Sequence, residues 1–246
     1  TSGTANTAVG QNAMILNTTG TENAAFGAIA LDANTTGNNN TACGRSALGS
    51  NTTASNNVAV GYNSLLLNTT GTNNVAVGAN ALDANTTANA NTAIGNNALG
   101  ANQTGATNTA VGFTSLANNT ASDNTAFGGF ALAANTSGTR NVAVGLQALE
   151  ANTTANDNTA LGRQALQTNT TGENNTAIGK SSLTSNTTAS NNTAVGFNCL
   201  LANTTGSLNT ALGSDALKNN TTGTSLVGIG YEALRENTTA SNNVAV

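Results

Sequence analysis

An asparagine followed two residues later by threonine or serine recurs throughout this 246-residue chain. Asn-x-Ser/Thr is the acceptor pattern for N-linked glycosylation, and the chain contains no proline that would block it. One asparagine of this kind falls in each repeat of the chain, and these candidate N-glycosylation sites are Asn17, Asn34, Asn51, Asn68, Asn85, Asn102, Asn118, Asn135, Asn152, Asn169, Asn186, Asn203, Asn220 and Asn237. Covalent N-linked glycans are therefore the only cofactor-like groups that the sequence suggests.

The same residues have a structural interpretation, which we favour. Asparagine, threonine and glycine suit a tight corner, where asparagine tolerates left-handed backbone and threonine hydroxyls cap backbone groups. An Asn-Thr repeat then produces acceptor patterns as a by-product. Further patterns of this type, at Asn39, Asn174 and Asn191, lie at the start of a predicted strand, where we expect them to be less available.

The chain has few residues suited to catalysis or to binding metals, nucleic acids or membranes. The chain has no histidine, its carboxylates stand in no fixed relation, and no Asp, Glu, His or Cys cluster suggests a metal ligand set, so we expect no enzyme, metal site or other cofactor. Six cationic residues and a net charge of -4 disfavour nucleic acid. No apolar run approaches the roughly 20 residues of a membrane helix, so we expect no membrane insertion.

Two cysteines, Cys43 and Cys199, lie about nine repeats apart. Stacked repeats would separate them by about 43 Å, which excludes an intrachain disulfide. Both stand at small apolar positions of the repeat. We expect buried free thiols, with cross-links between chains as the alternative.

A 17-residue repeat must position all of these residues. Its consensus is Asn-Thr-Ala-Val-Gly-x-x-Ala-Leu-x-x-Asn-Thr-Thr-Gly-x-x, and the glycine of Asn-Thr-Ala-Val-Gly, here the strand glycine, recurs every 17 residues except between Gly112 and Gly128, which are 16 apart. A strict short period is typical of solenoids, in which each unit contacts mainly its neighbours. We therefore expect one continuous array over residues 1–246 with about fourteen turns, as a segment of a longer array whose end caps lie outside it.

The β-branched stretch before each strand glycine predicts a short strand. Its first residue, threonine or valine, is here called the strand threonine. Its third residue is valine, isoleucine or phenylalanine and is here called the strand aliphatic residue, whichever apolar side chain stands there. These two share one face, while the strand alanine between them faces the other way. We expect the strand aliphatic residue and the leucine of Ala-Leu (the repeat leucine) to fill the interior. The strand alanine then packs either against the opposite wall of the same coil or, as we favour, against a second chain. These features predict an all-β parallel β-solenoid, with asparagine side chains stacked in ladders.

The Asn-Thr-Ala-Val-Gly-x-x-Ala unit, as in Asn91–Gly95 and Asn192–Gly196, resembles the head repeats of YadA-like trimeric autotransporter adhesins. It is also similar to repeats of phage and prophage tail-fibre proteins. The resemblance covers the whole chain. It implies a left-handed parallel β-roll, three chains wide, on an extracellular appendage.

The sequence therefore predicts a structural subunit or shaft of an extracellular or cell-surface fibre with an adhesin-like role. Its expected partners are further copies of itself, as a homotrimer or an end-to-end fibril, and host-cell or matrix surfaces. The alternative is a solenoid that binds ice or another repetitive surface through its threonines.

Overall fold

The computed structural model describes residues 3–246. The described residues divide into two compact units, residues 3–123 and Asn124–Val246. The described part of the first unit contains seven short strands: β1 (Thr7–Val9), β2 (Ala24–Phe26), β3 (Thr41–Cys43), β4 (Val58–Val60), β5 (Val75–Val77), β6 (Thr92–Ile94) and β7 (Thr109–Val111). The second unit contains eight: β8 (Thr125–Phe127), β9 (Val142–Val144), β10 (Thr159–Leu161), β11 (Thr176–Ile178), β12 (Thr193–Val195), β13 (Thr210–Leu212), β14 (Val227–Ile229) and β15 (Val244–Ala245).

Within each unit, successive strands pair in parallel and in a register that is offset by one repeat. Ala59 of β4 lies opposite Ala76 of β5, and Ala160 of β10 lies opposite Ala177 of β11. Residues 3–246 contain no helix. The predicted all-β parallel β-solenoid with turns of about 17 residues is thus confirmed in each unit.

The chain turns between strands through left-handed backbone. In the turn that starts at Gly145, the φ angles are 135° at Gly145, 60° at Gln147 and 51° at Leu149. Only glycine readily adopts the first of these angles. A Cβ atom on Gly145 would also lie 2.6 Å from the carbonyl carbon of Gly162 in the next turn, so the close stacking of turns requires glycine here as well.

The interior of each unit is a narrow stack of repeat leucines and alanines. Leu65, Leu99, Leu149 and Leu183 are fully buried. The strand alanines of β2 to β13 are buried too, as Ala177 illustrates. The expected interior position of the repeat leucine is therefore confirmed.

The predicted orientation of the strand was wrong. The strand aliphatic residues point outward, with Ile94 40% and Leu161 46% exposed, while the strand alanine points inward. Gly228 takes the alanine position in its turn, and a Cβ atom there would lie 3.1 Å from both the Leu217 side chain and the Ala233 carbonyl oxygen. The strand alanine thus packs against its own coil, because only a methyl group fits between the strand and the opposite wall. The second chain that we expected beside this alanine is not needed.

The two cysteines consequently differ. Cys199 is buried, as expected, and its burial raises the pKa of its thiol. Cys43 stands at a strand aliphatic position and is exposed, so the prediction that it is buried was wrong.

Truncation of a repeat leucine should measure this interior. We expect Leu149→Ala to lower the free energy of unfolding by about 2–5 kcal/mol, because it leaves a cavity that the rigid coil cannot close. The matched control is Leu146→Ala, since Leu146 is 45% exposed and should tolerate truncation. Urea denaturation of both variants tests this, and equal losses would contradict the assignment of the interior.

Candidate functional site

The asparagine of each Asn-Thr-Thr segment, here the corner asparagine, belongs to an internal hydrogen-bonded ladder. Asn68 Nδ2 donates to Asn51 Oδ1 at 3.0 Å and to the Gly71 carbonyl oxygen at 2.9 Å. Its Oδ1 accepts from Asn85 Nδ2 at 2.8 Å. Both hydrogens of the amide nitrogen are therefore used inside the protein, and this nitrogen is the atom that an N-linked glycan would occupy.

The candidate glycosylation sites fall into three groups by exposure. Asn118 is exposed, and Asn17 and Asn237 are half-buried. The remaining candidates are buried: Asn34, Asn51, Asn68, Asn85, Asn102, Asn135, Asn152, Asn169, Asn186, Asn203 and Asn220. A glycan on any buried member requires the ladder to open at that turn.

The 16-residue turn shows why Asn118 differs. Its neighbour Asn119 is the buried corner asparagine, and Asn119 Nδ2 donates to the Ala121 carbonyl oxygen, two residues on. In a full turn this bond spans three residues, as from Asn102 Nδ2 to Gly105. The missing residue therefore lies in the corner after Asn119, and the Asn-x-Thr pattern here starts one residue before the ladder.

Exposed acceptor patterns lie elsewhere. Asn39, Asn174 and Asn191, which we expected to be less available, are exposed and adopt left-handed backbone with φ between 56° and 60°. Sequence reasoning also missed Asn219, which starts the pattern Asn219-Asn220-Thr221 and is half-buried. The detectable signal was an asparagine directly before a ladder asparagine.

A second ladder is formed by the asparagine that starts each strand segment, here the strand asparagine. The Asn158 backbone N–H donates to Asn141 Oδ1 at 3.1 Å, and Asn158 Nδ2 donates to the Gly172 carbonyl oxygen at 2.9 Å. Leu226 replaces asparagine in one turn; its backbone N–H still donates to Asn209 Oδ1, but its side chain continues no ladder. The predicted asparagine ladders are confirmed.

The first threonine of each Asn-Thr-Thr segment closes the corner. Thr170 donates from its backbone N–H and from Oγ1 to the Thr187 carbonyl oxygen, at 2.8 and 3.0 Å, and the Thr171 N–H reaches the same oxygen at 3.3 Å. One carbonyl of the next turn thus satisfies three donors. This bonding fixes the corner without any need for the hydroxyl of the second threonine.

Charged groups stay on the outer surface. Arg140 Nε lies 2.7 Å from Asp157 Oδ1, and this guanidinium holds the pKa of the carboxyl below its usual range. Lys180 lies over the ring of Phe197, 5.4 Å from its centroid. Across residues 3–246, no three His, Cys, Asp or Glu side chains group as a metal site would require.

Comparison with known proteins adds no family. The chain matches no protein-family model, and no curated protein matches it significantly. A helix long and apolar enough to cross a bilayer is not found between residues 3 and 246.

The corner ladder can be tested by replacing one amide nitrogen with oxygen. We expect Asn68→Asp to destabilise the protein by about 3 kcal/mol or more at neutral pH, because it buries a carboxylate beside two acceptors, the Gly71 carbonyl and Asn51 Oδ1. Burial raises the folded-state pKa of the new carboxyl above its ordinary value of about 3.9. The loss is therefore complete above the folded-state pKa and shrinks as the pH falls toward the ordinary value.

Urea denaturation at pH 7 and pH 4 measures this dependence. Asn118→Asp is the matched control, since Asn118 is exposed and should change little at either pH. A pH-independent loss in Asn68→Asp, or the same loss in both variants, would show that the ladder is not what the substitution disturbs.

Proposed function

We propose that this chain is a non-catalytic structural subunit of an extracellular or cell-surface fibre, with an adhesin-like role. The observation that carries the proposal is the outer strand face. In each unit this face presents an uninterrupted row of strand aliphatic residues and contains no charged residue.

Every member of the row is exposed or half-buried in a single chain. In the first unit it comprises Val9, Phe26, Cys43, Val60, Val77, Ile94 and Val111. In the second unit it comprises Phe127, Val144, Leu161, Ile178, Val195, Leu212 and Ile229. Contiguous apolar surface of this kind marks an interaction site on a soluble protein.

A second copy of the chain is the occupant that fits this face best. Its strands repeat at the same spacing of about 4.8 Å, so side chains of two copies can interlock at every turn of a unit. The absence of charge from the face removes any electrostatic barrier to pairing like with like. The resemblance to YadA-like repeats supports lateral assembly into a trimer on the cell surface, and end-to-end growth into a fibril is the other form of self-association.

The outer face can be tested by introducing charge. We expect the full chain to self-associate and Leu161→Glu to weaken association at least tenfold, because a carboxylate would be buried between copies. Leu208→Glu is the matched control, since Leu208 is 59% exposed but lies outside the strands. Light scattering after size-exclusion chromatography reports the mass. A wild-type chain that stays monomeric at its highest soluble concentration would contradict the proposal.

Cys43 provides a second readout of the same assembly. It lies on the outer face in β3, so parallel copies in register bring their Cys43 thiols together. Mild oxidation should then yield a covalent dimer that Cys43→Ser abolishes. Unchanged monomer on a non-reducing gel would argue against packing through this face.

The same face also supports a second candidate, binding to ice or another repetitive solid. Thr176 and Ile178 point outward together, as do Thr193 and Val195 in the next strand. Regularly spaced threonine and aliphatic side chains can match a lattice. Thermal hysteresis of the wild-type chain, reduced in Thr193→Lys, would support this candidate, and no hysteresis at high concentration would rule it out.

A further inference from the structure

The second threonine of each Asn-Thr-Thr segment, here the outer corner threonine, forms an exposed column in each unit. In the first unit the column comprises Thr19, Thr36, Thr53, Thr70, Thr87 and Thr104. In the second unit it comprises Ser137, Thr154, Thr171, Thr188, Thr205, Thr222 and Thr239. Every one of these residues is exposed.

The hydroxyls of this column have no structural partner among residues 3–246. Next to Thr154, Thr153 Oγ1 donates to the Thr170 carbonyl oxygen at 3.2 Å, whereas Thr154 Oγ1 forms no hydrogen bond. The same contrast holds in the following turn between Thr170 and Thr171. An alanine at the outer corner position would keep every backbone bond of the corner.

Among the full 17-residue turns, the column nevertheless carries a hydroxyl at every position. Other exposed positions change residue type freely from turn to turn, as Arg45, Tyr62 and Asn96 show at the position after the strand glycine. In every full 17-residue turn the outer corner position keeps a hydroxyl: Gln103 replaces the first threonine of one corner, yet Thr104 follows it, and Ser137 carries the hydroxyl where threonine is lost. The 16-residue turn lacks one of the two threonine positions, since Ala121 follows Thr120 directly. A hydroxyl that is retained without a structural role indicates that something outside the fold uses it.

We propose that the outer corner threonines are sites of O-linked glycosylation. Thr Oγ1 attacks the anomeric carbon of a nucleoside-diphosphate sugar, the bond from that carbon to the diphosphate oxygen breaks, and a glycosidic bond to Oγ1 forms. The hydroxyl proton passes to a base of the glycosyltransferase, and the nucleoside diphosphate leaves. The inference deepens the proposed function and rests on it, since it supplies a carbohydrate coat for a surface-exposed fibre.

The asparagine of the same segment is the competing acceptor, and the geometry disfavours it. Asn152 Nδ2 donates to Asn135 Oδ1 at 2.9 Å and to the Ala155 carbonyl oxygen at 3.1 Å, and Asn152 is fully buried. A sugar on this nitrogen would displace at least one of these bonds and open the stack. A sugar on Thr154 Oγ1 displaces none, because Thr154 is exposed and its hydroxyl makes no hydrogen bond within the described residues.

Mass mapping of the full chain, isolated from its native producer, tests the proposal. We expect sugar masses on peptides that carry Thr154, Thr171 and Thr188, lost on alkaline β-elimination and retained after treatment with an amidase that releases N-linked glycans. Unmodified threonines, or sugar on Asn152 in place of Thr154, would overturn the proposal.

A chemical mimic tests the geometry independently of the producer. In a Cys43→Ser background, Thr154→Cys and Asn152→Cys are each treated, while folded, with a thiol-reactive monosaccharide. Thr154→Cys should label fully with an unchanged melting temperature, whereas Asn152→Cys should resist labelling or melt earlier. A labelled Thr154→Cys chain that melts many degrees earlier than its unlabelled form would overturn the proposal.

The two proposals fail in different ways. Loss of self-association leaves the mass of the threonine peptides unchanged, so a glycosylated chain that stays monomeric rejects the fibre and keeps the modification. A self-associating chain with unmodified threonines rejects the modification and keeps the fibre.

Discussion

Hydrogen bonding along the stacking direction is the interaction on which the rest of this fold depends. Strands contribute only three residues or fewer to each turn, so most backbone groups must find partners outside a regular sheet. Side chains supply many of them: corner asparagines, strand asparagines and first corner threonines each bond to the adjacent turn, as Asn85, Asn158 and Thr170 do. Because each ladder requires the same residue one turn later, the hydrogen bonding of the fold itself requires the 17-residue repeat in the sequence.

That constraint also explains the unusual backbone. A leucine with φ near 51°, such as Leu149, costs roughly 1–2 kcal/mol relative to right-handed backbone. The cost recurs in turn after turn, and burial of the leucine side chain offsets it by a similar or larger amount. At the exposed left-handed positions no such burial is available, and asparagine is common there, as at Asn56 and Asn73. Residue choice at left-handed positions thus follows from whether packing or intrinsic preference must stabilise the turn.

Much of this architecture was readable from the sequence because a period of 17 residues fixes which residues stack. The strands, the buried repeat leucine and the asparagine ladders followed directly. Which strand face points inward did not, since alternation defines two faces but does not rank them. Side-chain volume decides it: the inner face holds alanine of constant size, as at Ala143 and Ala160, whereas the outer face accepts Val144, Leu161 or Phe127 without distinction. Hydrophobicity alone predicts that the larger residues point inward, but the interior is too narrow for them at the strand, where it admits nothing larger than alanine.

Two demands meet in the three residues of the Asn-Thr-Thr corner: bonding inside the coil and contact with what lies outside it. The asparagine is constant since the ladder inside the coil needs both of its amide hydrogens. The first threonine is nearly constant since its hydroxyl bonds to the next turn; Gln103 takes its place in one corner, where the Gln103 carbonyl still accepts from Thr86 Oγ1. The outer position carries a hydroxyl in every full 17-residue turn, as threonine or as Ser137, without an internal reason. In a repeat protein, uniformity of buried residues reports packing, but uniformity of an exposed and unbonded group must come from what the surface meets. The 16-residue turn separates these demands: one threonine position is lost from its corner, while Asn119 keeps its buried place beside the exposed Asn118.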